Sequence, residues 1–324
     1  STSGYESEAN DTRSSADEIT FDSEMKGQLS SSRDVDYYKV VVGDSGILSV
    51  ALDVPTNDSY SWRDYFAIGF YDSEGTLLNL AETGKDKNYT LALQEAGSYY
   101  LKLFNDSFFY YSSDQYSVTA SYIAGSTSGY ESEANDTRSS ADEITFDRDI
   151  KGQLSTSVDV DYYKVVVGGS GILSVVLDVP TFSSKDYFAI GFYTSEGGLL
   201  HQAETGQDKT YTLALHEAGN YYLKIFNDSR YYYSNDQYSV TASFTAGSTS
   251  GYEHEANDSR STANEITFDR DIKGQLSSSA DEDYYKVVVG GSGILSVVLD
   301  VPIFSREDYF AIGFYTSEGG LLHQ

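Results

Sequence analysis

The chain repeats itself. Ser-Thr-Ser-Gly-Tyr opens at Ser1, again at Ser126 and again at Ser248, and each opening leads into nearly the same sequence. Residues 126–202 and 248–324 align without a gap and differ at ten of 77 positions. The offset is 125 residues from the first copy to the second and 122 from the second to the third. The three-residue difference sits in one loop, where PTNDSYSWRDYF (55–66) becomes PTFSSKDYF (180–188). Such a period exceeds the roughly 20–50 residues of a solenoid unit and matches the about 100–150 residues of a self-contained core. The expected organisation is therefore three modules in tandem, residues 1–125, 126–247 and 248–324, with the third incomplete.

Each copy breaks into short runs of alternating apolar and polar residues, separated by Gly, Asp, Asn and Ser. In the first copy the runs are Glu18–Asp22, Met25–Leu29, Tyr37–Val42, Ile47–Val54, Tyr65–Tyr71, Leu77–Ala81, Tyr89–Leu93, Ser98–Phe104 and Gln115–Tyr122. Leu48, Val50, Leu52 and Val54 share one face of their run, and Phe66, Ile68 and Phe70 share one face of theirs. A period of two with one apolar side predicts strands with one buried face. Turn chemistry lies between the runs, as in Gly43-Asp44-Ser45-Gly46 and Glu95-Ala96-Gly97. Many short strands and no long helical pattern predict an all-β fold of tandem antiparallel β-sandwich, jelly-roll-like domains. One helical turn is expected, at Ser14–Glu18.

Acidic residues number 50 against 21 basic ones, a net charge of −29. Such a surface repels nucleic acid and anionic membrane, which need clustered Lys or Arg, and it suits cations that neutralise carboxylates. There is no cysteine, so stability outside the cell cannot come from disulfides, and bound metal is an alternative source. No apolar run approaches the about 18 residues of a membrane span. Neither a signal peptide nor an initiator Met is seen, so a mature product or a window on a longer array is expected.

The chemistry concentrates at the start of each copy. The first opens Tyr5-Glu6-Ser7-Glu8-Ala9-Asn10-Asp11-Thr12, the second places Glu131, Glu133, Asn135 and Asp136 at the matching positions, and the third Glu253, Glu255, Asn257 and Asp258. A second cluster comes next, Asp34-Val35-Asp36-Tyr37-Tyr38, repeated as Asp159/Asp161 and Asp281/Asp283. A set of oxygen donors with several carboxylates suits a hard cation, and calcium takes six to eight such oxygens in irregular geometry. Without His or Cys in the set, zinc and copper are poor candidates. The residue between the paired aspartates is Val35, Val160 or Glu282, so that position is expected to face solvent. Solvated loops on an acidic protein are the plain alternative, and the joint recurrence of both clusters in every copy counts against it.

Taken together, Glu-x-Glu-x-Asn-Asp-Thr, Gly-Gln-Leu-Ser, Asp-Val-Asp-Tyr-Tyr-Lys-Val, Glu-Ala-Gly-Ser-Tyr-Tyr-Leu-Lys and Asp-Gln-Tyr-Ser-Val-Thr resemble the bacterial pre-peptidase C-terminal domain, whose family includes collagen-binding domains of clostridial collagenases. The likeness spans essentially all of each repeat. It implies a jelly-roll sandwich, secretion, and calcium held between the N-terminal segment and the strand carrying the Asp pair. Carried over by position, Glu6, Glu8, Asn10, Asp11, Asp34 and Asp36 are the implied ligands. Ala9 stands where the family often has Pro. Because this segment comes just after the Ala124–Gly129 joint, a bound ion there is expected to stiffen the array.

Other signals carry less. Gly43-Asp44-Ser45-Gly46 mimics a protease nucleophile loop, but the second copy reads Gly168-Gly169-Ser170-Gly171 and no His precedes it in the first, so a turn is expected. The histidines His201, His216, His254 and His323 show no ligand spacing, and no nucleophile–base pair recurs, so no enzyme is expected. The aromatics Phe108, Phe109, Tyr110 and Tyr111, matched by Tyr231, Tyr232 and Tyr233, lie between two strands. They suit either a ligand or assembly surface or a cap on the sandwich end. The third copy lacks the equivalents of 203–247, so open edges and an exposed core are expected unless the chain continues or a neighbour supplies strands. Two functional readings are open. One is an extracellular, calcium-stabilised structural array that associates with copies of itself as a surface filament, stalk or adhesin. The other is an accessory array of a secreted hydrolase that binds matrix or polysaccharide.

Overall fold

The structure, a computed structural model, describes residues 4–54, 66–83, 87–105, 113–179, 188–205, 209–227, 236–276, 281–301 and 310–324. In the first repeat the strands are β1 (Asp17–Glu18), β2 (Glu24–Gly27), β3 (Val35–Val42), β4 (Gly46–Asp53), β5 (Phe66–Tyr71), β6 (Leu77–Thr83), β7 (Lys87–Leu93), β8 (Gly97–Asn105) and β9 (Tyr116–Ala124). They form two sheets, ordered β1-β3-β8-β5-β6 and β2-β9-β4-β7. Pairing is antiparallel except for the short β1, which runs parallel to β3. The second repeat copies the first: β10 (Asp142–Glu143), β11 (Asp149–Gly152), β12 (Val160–Val167), β13 (Gly171–Asp178), β14 (Phe188–Thr194), β15 (Leu199–Thr205), β16 (Lys209–Leu215), β17 (Gly219–Asn227) and β18 (Tyr238–Ala246), in sheets β10-β12-β17-β14-β15 and β11-β18-β13-β16. The fold is all-β, as the alternating runs predict.

Burial follows the alternation. Leu48, Val50, Leu52 and Val54 are sealed inside with Tyr38, Val40, Leu101, Leu103, Tyr116 and Val118 in one cluster, and Leu173, Val175, Leu177, Tyr163, Leu223 and Tyr238 repeat it in the second sandwich. Strand β5 departs from the one-sided pattern, because Ala67 and Gly69 are buried as well as Phe66, Ile68 and Phe70.

Two expectations need correction. Of the run Glu18–Asp22 only Glu18 lies in a strand, β1, because Ser23 N donates to Thr20 O and Asp22 turns into the left-handed region at φ 60. Asp tolerates that region better than most residues, so the chain reverses there. The helical turn falls earlier than Ser14–Glu18, as a 3-10 turn at Arg13–Ser15.

The chain divides into two compact units, Ser1–Lys286 and Val287–Gln324. In the third repeat, the strands among the described residues are β19 (Asn264–Ile266), β20 (Tyr285–Val287), β21 (Phe314–Tyr315) and β22 (Leu321–His323). Residues 293–300 repeat the sequence of β13 yet pair with no strand among the described residues. Equivalents of β16 and β18, which flank β13, are not among the 324 residues. Leu295 is 43% exposed, whereas its counterparts Leu48 and Leu173 are each 1% exposed.

Candidate metal centre

Period-two geometry places the first carboxylate of the centre. In β3 the inward positions are Asp36, Tyr38, Val40 and Val42, so the strand that lines the core with apolar groups begins by pointing a carboxylate into it. Asp36 and its counterpart Asp161 are fully buried. The intervening Val35 and Val160 are half-buried and Glu282 is exposed, so none of them joins the inward row.

The N-terminal segment is pinned alongside at two points. Glu6 N donates to Lys26 O at 2.9 Å, and Tyr37 N donates to Asn10 O at 2.9 Å. The same two bonds recur as Glu131 to Lys151 and Tyr162 to Asn135, and as Glu253 to Lys273 and Tyr284 to Asn257. The carboxylates between the two pins are thereby held against the start of the Asp-bearing strand. In each repeat the Glu8–Ala9, Glu133–Ala134 or Glu255–Ala256 peptide bond is cis.

Three groups of carboxylates result: Glu8, Asp34 and Asp36; Glu131, Glu133 and Asp161; Glu253, Glu255 and Asp283. Within each group one oxygen of every residue lies within 4.8 Å of the others. Glu6 is also tied into its site by Gln28 N at 2.6 Å and the Tyr38 hydroxyl at 2.6 Å. Glu131 receives the matching bonds from Gln153 N at 2.6 Å and Tyr163 at 2.7 Å, and Glu253 from Gln275 N and Tyr285, both at 2.6 Å. Asp34 Oδ1 accepts from Val35 N at 3.0 Å, and Asp159 Oδ1 from Val160 N at 2.9 Å. Asp11, Asp136 and Asp258 are exposed at the rim, where Asp136 meets Asp159 and Asp258 meets Asp281.

Charge repulsion and burial act together on these groups. Burial pushes Asp36 up to about 8, and the nearby Glu6 and Asp34 add to it. Glu133 is pushed up to about 10 by burial, then by Asp161 and Asp159. Burial raises Glu255 to about 7 and Asp283 to about 8, and lifts Glu131 and Asp161 well above the carboxylate range. Without a countercharge such clusters hold protons at neutral pH.

The fit to a cation rests on unused acceptors. Asn10, Asn135 and Asn257 are fully buried, and each turns its amide nitrogen toward Glu6, Glu131 or Glu253. Their Oδ1 atoms have no hydrogen-bond partner, and neither do Asp36, Asp161 and Asp283 Oδ1 or Glu133 and Glu255 Oε1. Buried oxygens are ordinarily satisfied, because leaving one bare costs about 1–3 kcal/mol. The same asparagine and aspartate oxygens are bare in all three copies, which matches a hard cation with oxygen ligands.

Sequence reasoning missed the groups that brace the site. Tyr38 and Tyr116 are buried with hydroxyls 2.6 Å apart, and Tyr116 donates to Asp36. Tyr163 and Tyr238 do the same at 2.7 Å, with Tyr238 donating to Asp161. Their sequence signal was the Tyr in Asp-x-Asp-Tyr-Tyr and in Asp-Gln-Tyr-Ser, but strands 78 residues apart had to be paired to see it. Asp17 Oδ2 accepts from Ser7 N at 2.6 Å, Asp142 from Ser132 N at 2.7 Å, and Asn264 Oδ1 from His254 N at 2.8 Å. An Asp-to-Asn difference at that position keeps the acceptor, which marks it as structural.

The remaining candidates divide. Gly43–Ser45 is a bend between β3 and β4. His216 and His254, far apart in sequence, have ring centroids 4.1 Å apart, a proximity that spacing did not reveal. Phe108, Phe109, Tyr110, Tyr111, Tyr231, Tyr232 and Tyr233 lie outside the described residues.

No family model matches the chain, and no curated protein matches it. Among solved structures it is similar to the pre-peptidase C-terminal domain of a collagenase from Bacillus anthracis, at 14% identity over 32% of this chain and 93% of that one, with a TM-score of 0.26. It is similar to tandem CBM51 modules of a family 98 glycoside hydrolase from Streptococcus pneumoniae, at 11% identity over 70% and 85%, with a TM-score of 0.24. It is also similar to a tandem CBM22 domain from Paenibacillus barcinonensis, at 10% identity over 69% and 86%, with a TM-score of 0.24. Among the described residues no helix is long and apolar enough to cross a membrane.

Proposed function

We propose that the chain is a non-catalytic, extracellular array of calcium-stabilised β-sandwich modules that attaches a secreted hydrolase to a matrix or polysaccharide polymer. The observation that carries the calcium part is the set of bare, buried Asn and Asp oxygens beside clustered carboxylates, present in all three repeats. Glu8, Asp34 and Asp36, with Asn10 and the rim Asp11, would hold the ion in the first repeat, and their counterparts would hold it in the others. When bound, calcium supplies the positive charge that lets these carboxylates ionise together. Glu6, Glu131 and Glu253 add ligand oxygens and keep the N-terminal segment seated on its own sandwich. With an affinity of about 10⁻⁴–10⁻³ M and calcium ten- to a hundredfold above it, each site stabilises by roughly 1.4–2.7 kcal/mol.

For the use of the array, the motifs that resemble the pre-peptidase C-terminal domain suit the accessory reading better than a filament. The collagenase domain and the glycoside hydrolase modules among the solved structures are of the same kind. The filament reading keeps one support of its own: near-identical repeats let one contact recur along a fibre. The test is to strip the chain with chelator, titrate calcium by calorimetry, and sediment it with insoluble collagen and with polysaccharides. Loss of the first repeat's calcium on Asp36→Asn and of the second repeat's on Asp161→Asn, a monomeric chain, and polymer binding are expected. Fibres with an axial repeat, and no polymer binding, would favour the filament.

A further inference from the structure

The first two repeats contain an internal control. Residues 1–12 and 126–137 are identical, and so are 26–30 and 151–155 and 34–43 and 159–168. Every ligand and bracing position of the N-terminal segment is therefore the same in both. Their burial is not. Glu8 is exposed and Glu6 half-buried, whereas Glu133 is half-buried and Glu131 only 9% exposed. Gln28 is exposed, whereas Gln153 is buried.

In front of the second segment lies the first repeat. A cavity of about 40 Å³ has Leu78, Asn79 and Leu91 of β6 and β7 on one side and Glu131, Glu133 and Gln153 on the other. Asn79 is buried and donates from Nδ2 to Gln153 Oε1 at 3.3 Å across the joint. A second bond, Thr127 Oγ1 to Gln94 Oε1 at 2.8 Å, holds the joint from its other side. A volume of that size takes about one water or one small ion. The fully buried Asp161, with its Oδ1 bare, belongs to the same carboxylate group.

We infer that the β6–β7 face of the first repeat is the outer wall of the second repeat's cation site, so that an ion held by Glu131, Glu133 and Asp161 leaves only when the joint opens. This rests on the calcium reading and adds a regulation to it. Two sites with identical ligands then differ in release rate, and a pull that separates the repeats brings the second site's release up to the rate of the first. Joint opening is a local event that costs part of the folding free energy, and each tenfold in rate needs little of it.

The experiment uses the full chain carrying Asp283→Asn to silence the third site. The calcium-loaded protein is mixed in a stopped-flow cell with excess fluorescent chelator. Two release phases are expected, the slow one at least about tenfold slower than the fast. Asp161→Asn should remove the slow phase and Asp36→Asn the fast one. Asn79→Ala, which cuts the bond across the joint, should speed the slow phase severalfold and leave the fast phase unchanged. Because Asn79 belongs to the first repeat, an unchanged fast phase also shows that this repeat remains folded. Equal release from both sites, or a slow phase indifferent to Asn79→Ala, overturns the wall while leaving the cation sites standing. No release signal in any variant overturns both.

Discussion

Gly152 shows how tightly single residues are specified around the site. A Cβ there would collide with Glu131 Oε2 and with the hydroxyls of Tyr238 and Tyr163, and Gly27 and Gly274 face matching obstructions. Gly152→Ala is expected to destabilise by about 1–3 kcal/mol, measured by urea denaturation, and to abolish calcium uptake in the second repeat. Asp142→Asn, by contrast, reproduces the third repeat, where Asn264 accepts the same kind of backbone bond. It should change stability by under about 0.5 kcal/mol in the same assay. His201 is buried, and burial lowers its pKa to about 4 from an ordinary 6.5, with Asp281 opposing. The unfolded chain then binds a proton between those values that the folded chain refuses, so stability is held above pH 6.5 and lost as pH falls toward 4. Asn79 fills the equivalent place in the first repeat and is equally buried. His201→Asn should therefore remove an acid-dependent loss of at most about 3 kcal/mol, read as the difference between the two proteins' stability–pH curves.

At the level of elements, the alternating runs reported strands well because one-sided burial leaves a period-two trace in the residues themselves. All nine runs of the first repeat overlap a strand, and the largest shortfall, Glu18–Asp22, ends at a turn where Asp22 adopts positive φ. Alternation also shows which residues of Ile47–Val54 face inward. It carries no information about which strand lies opposite. The segment Gly-Ile-Leu-Ser-Val-Val-Leu-Asp makes this plain: at 171–178 it is β13, paired on both edges, and at 293–300 the same eight residues pair with no described strand. Leu173→Ala should consequently cost about 2–5 kcal/mol, while Leu295→Ala should have little effect on the unfolding transition of this 324-residue stretch. Comparable losses from the two substitutions would show that the third repeat buries its core as the others do.

Across the whole molecule, the excess of acid is organised. Part of the acidic excess is gathered into three clusters, in which burial and neighbouring carboxylates raise Asp36, Glu133 and Asp283. Since the folded-state pKa values of Asp36, Glu133 and Asp283 are raised to about 8, 10 and 8, the folded chain binds more protons than the unfolded one above the ordinary carboxylate range. Stability contributed by these groups is present at low pH and lost as pH rises toward 8 to 10. In chelator, melting temperature from these sites should fall between pH 5 and pH 9. Added calcium should raise it, and by more at the alkaline end, because ligands must shed protons before binding. A calcium effect of equal size at pH 5 and pH 9, measured by scanning calorimetry, would contradict this account.

What the amino-acid order determined alone is local or additive: the repeat and its period, the strands and their inward faces, the sign of the charge, and recurring clusters of side chains that offer only oxygen donors. These are carried by neighbouring residues or by sums over the chain. Tertiary structure decided the rest. It brought Tyr116 and Tyr238 to the carboxylates, left the asparagine oxygens bare, and set one repeat against the next so that identical residues became exposed at Glu8 and half-buried at Glu133. Burial and pairing are properties of what lies across a gap, and a residue's own identity does not say what that will be.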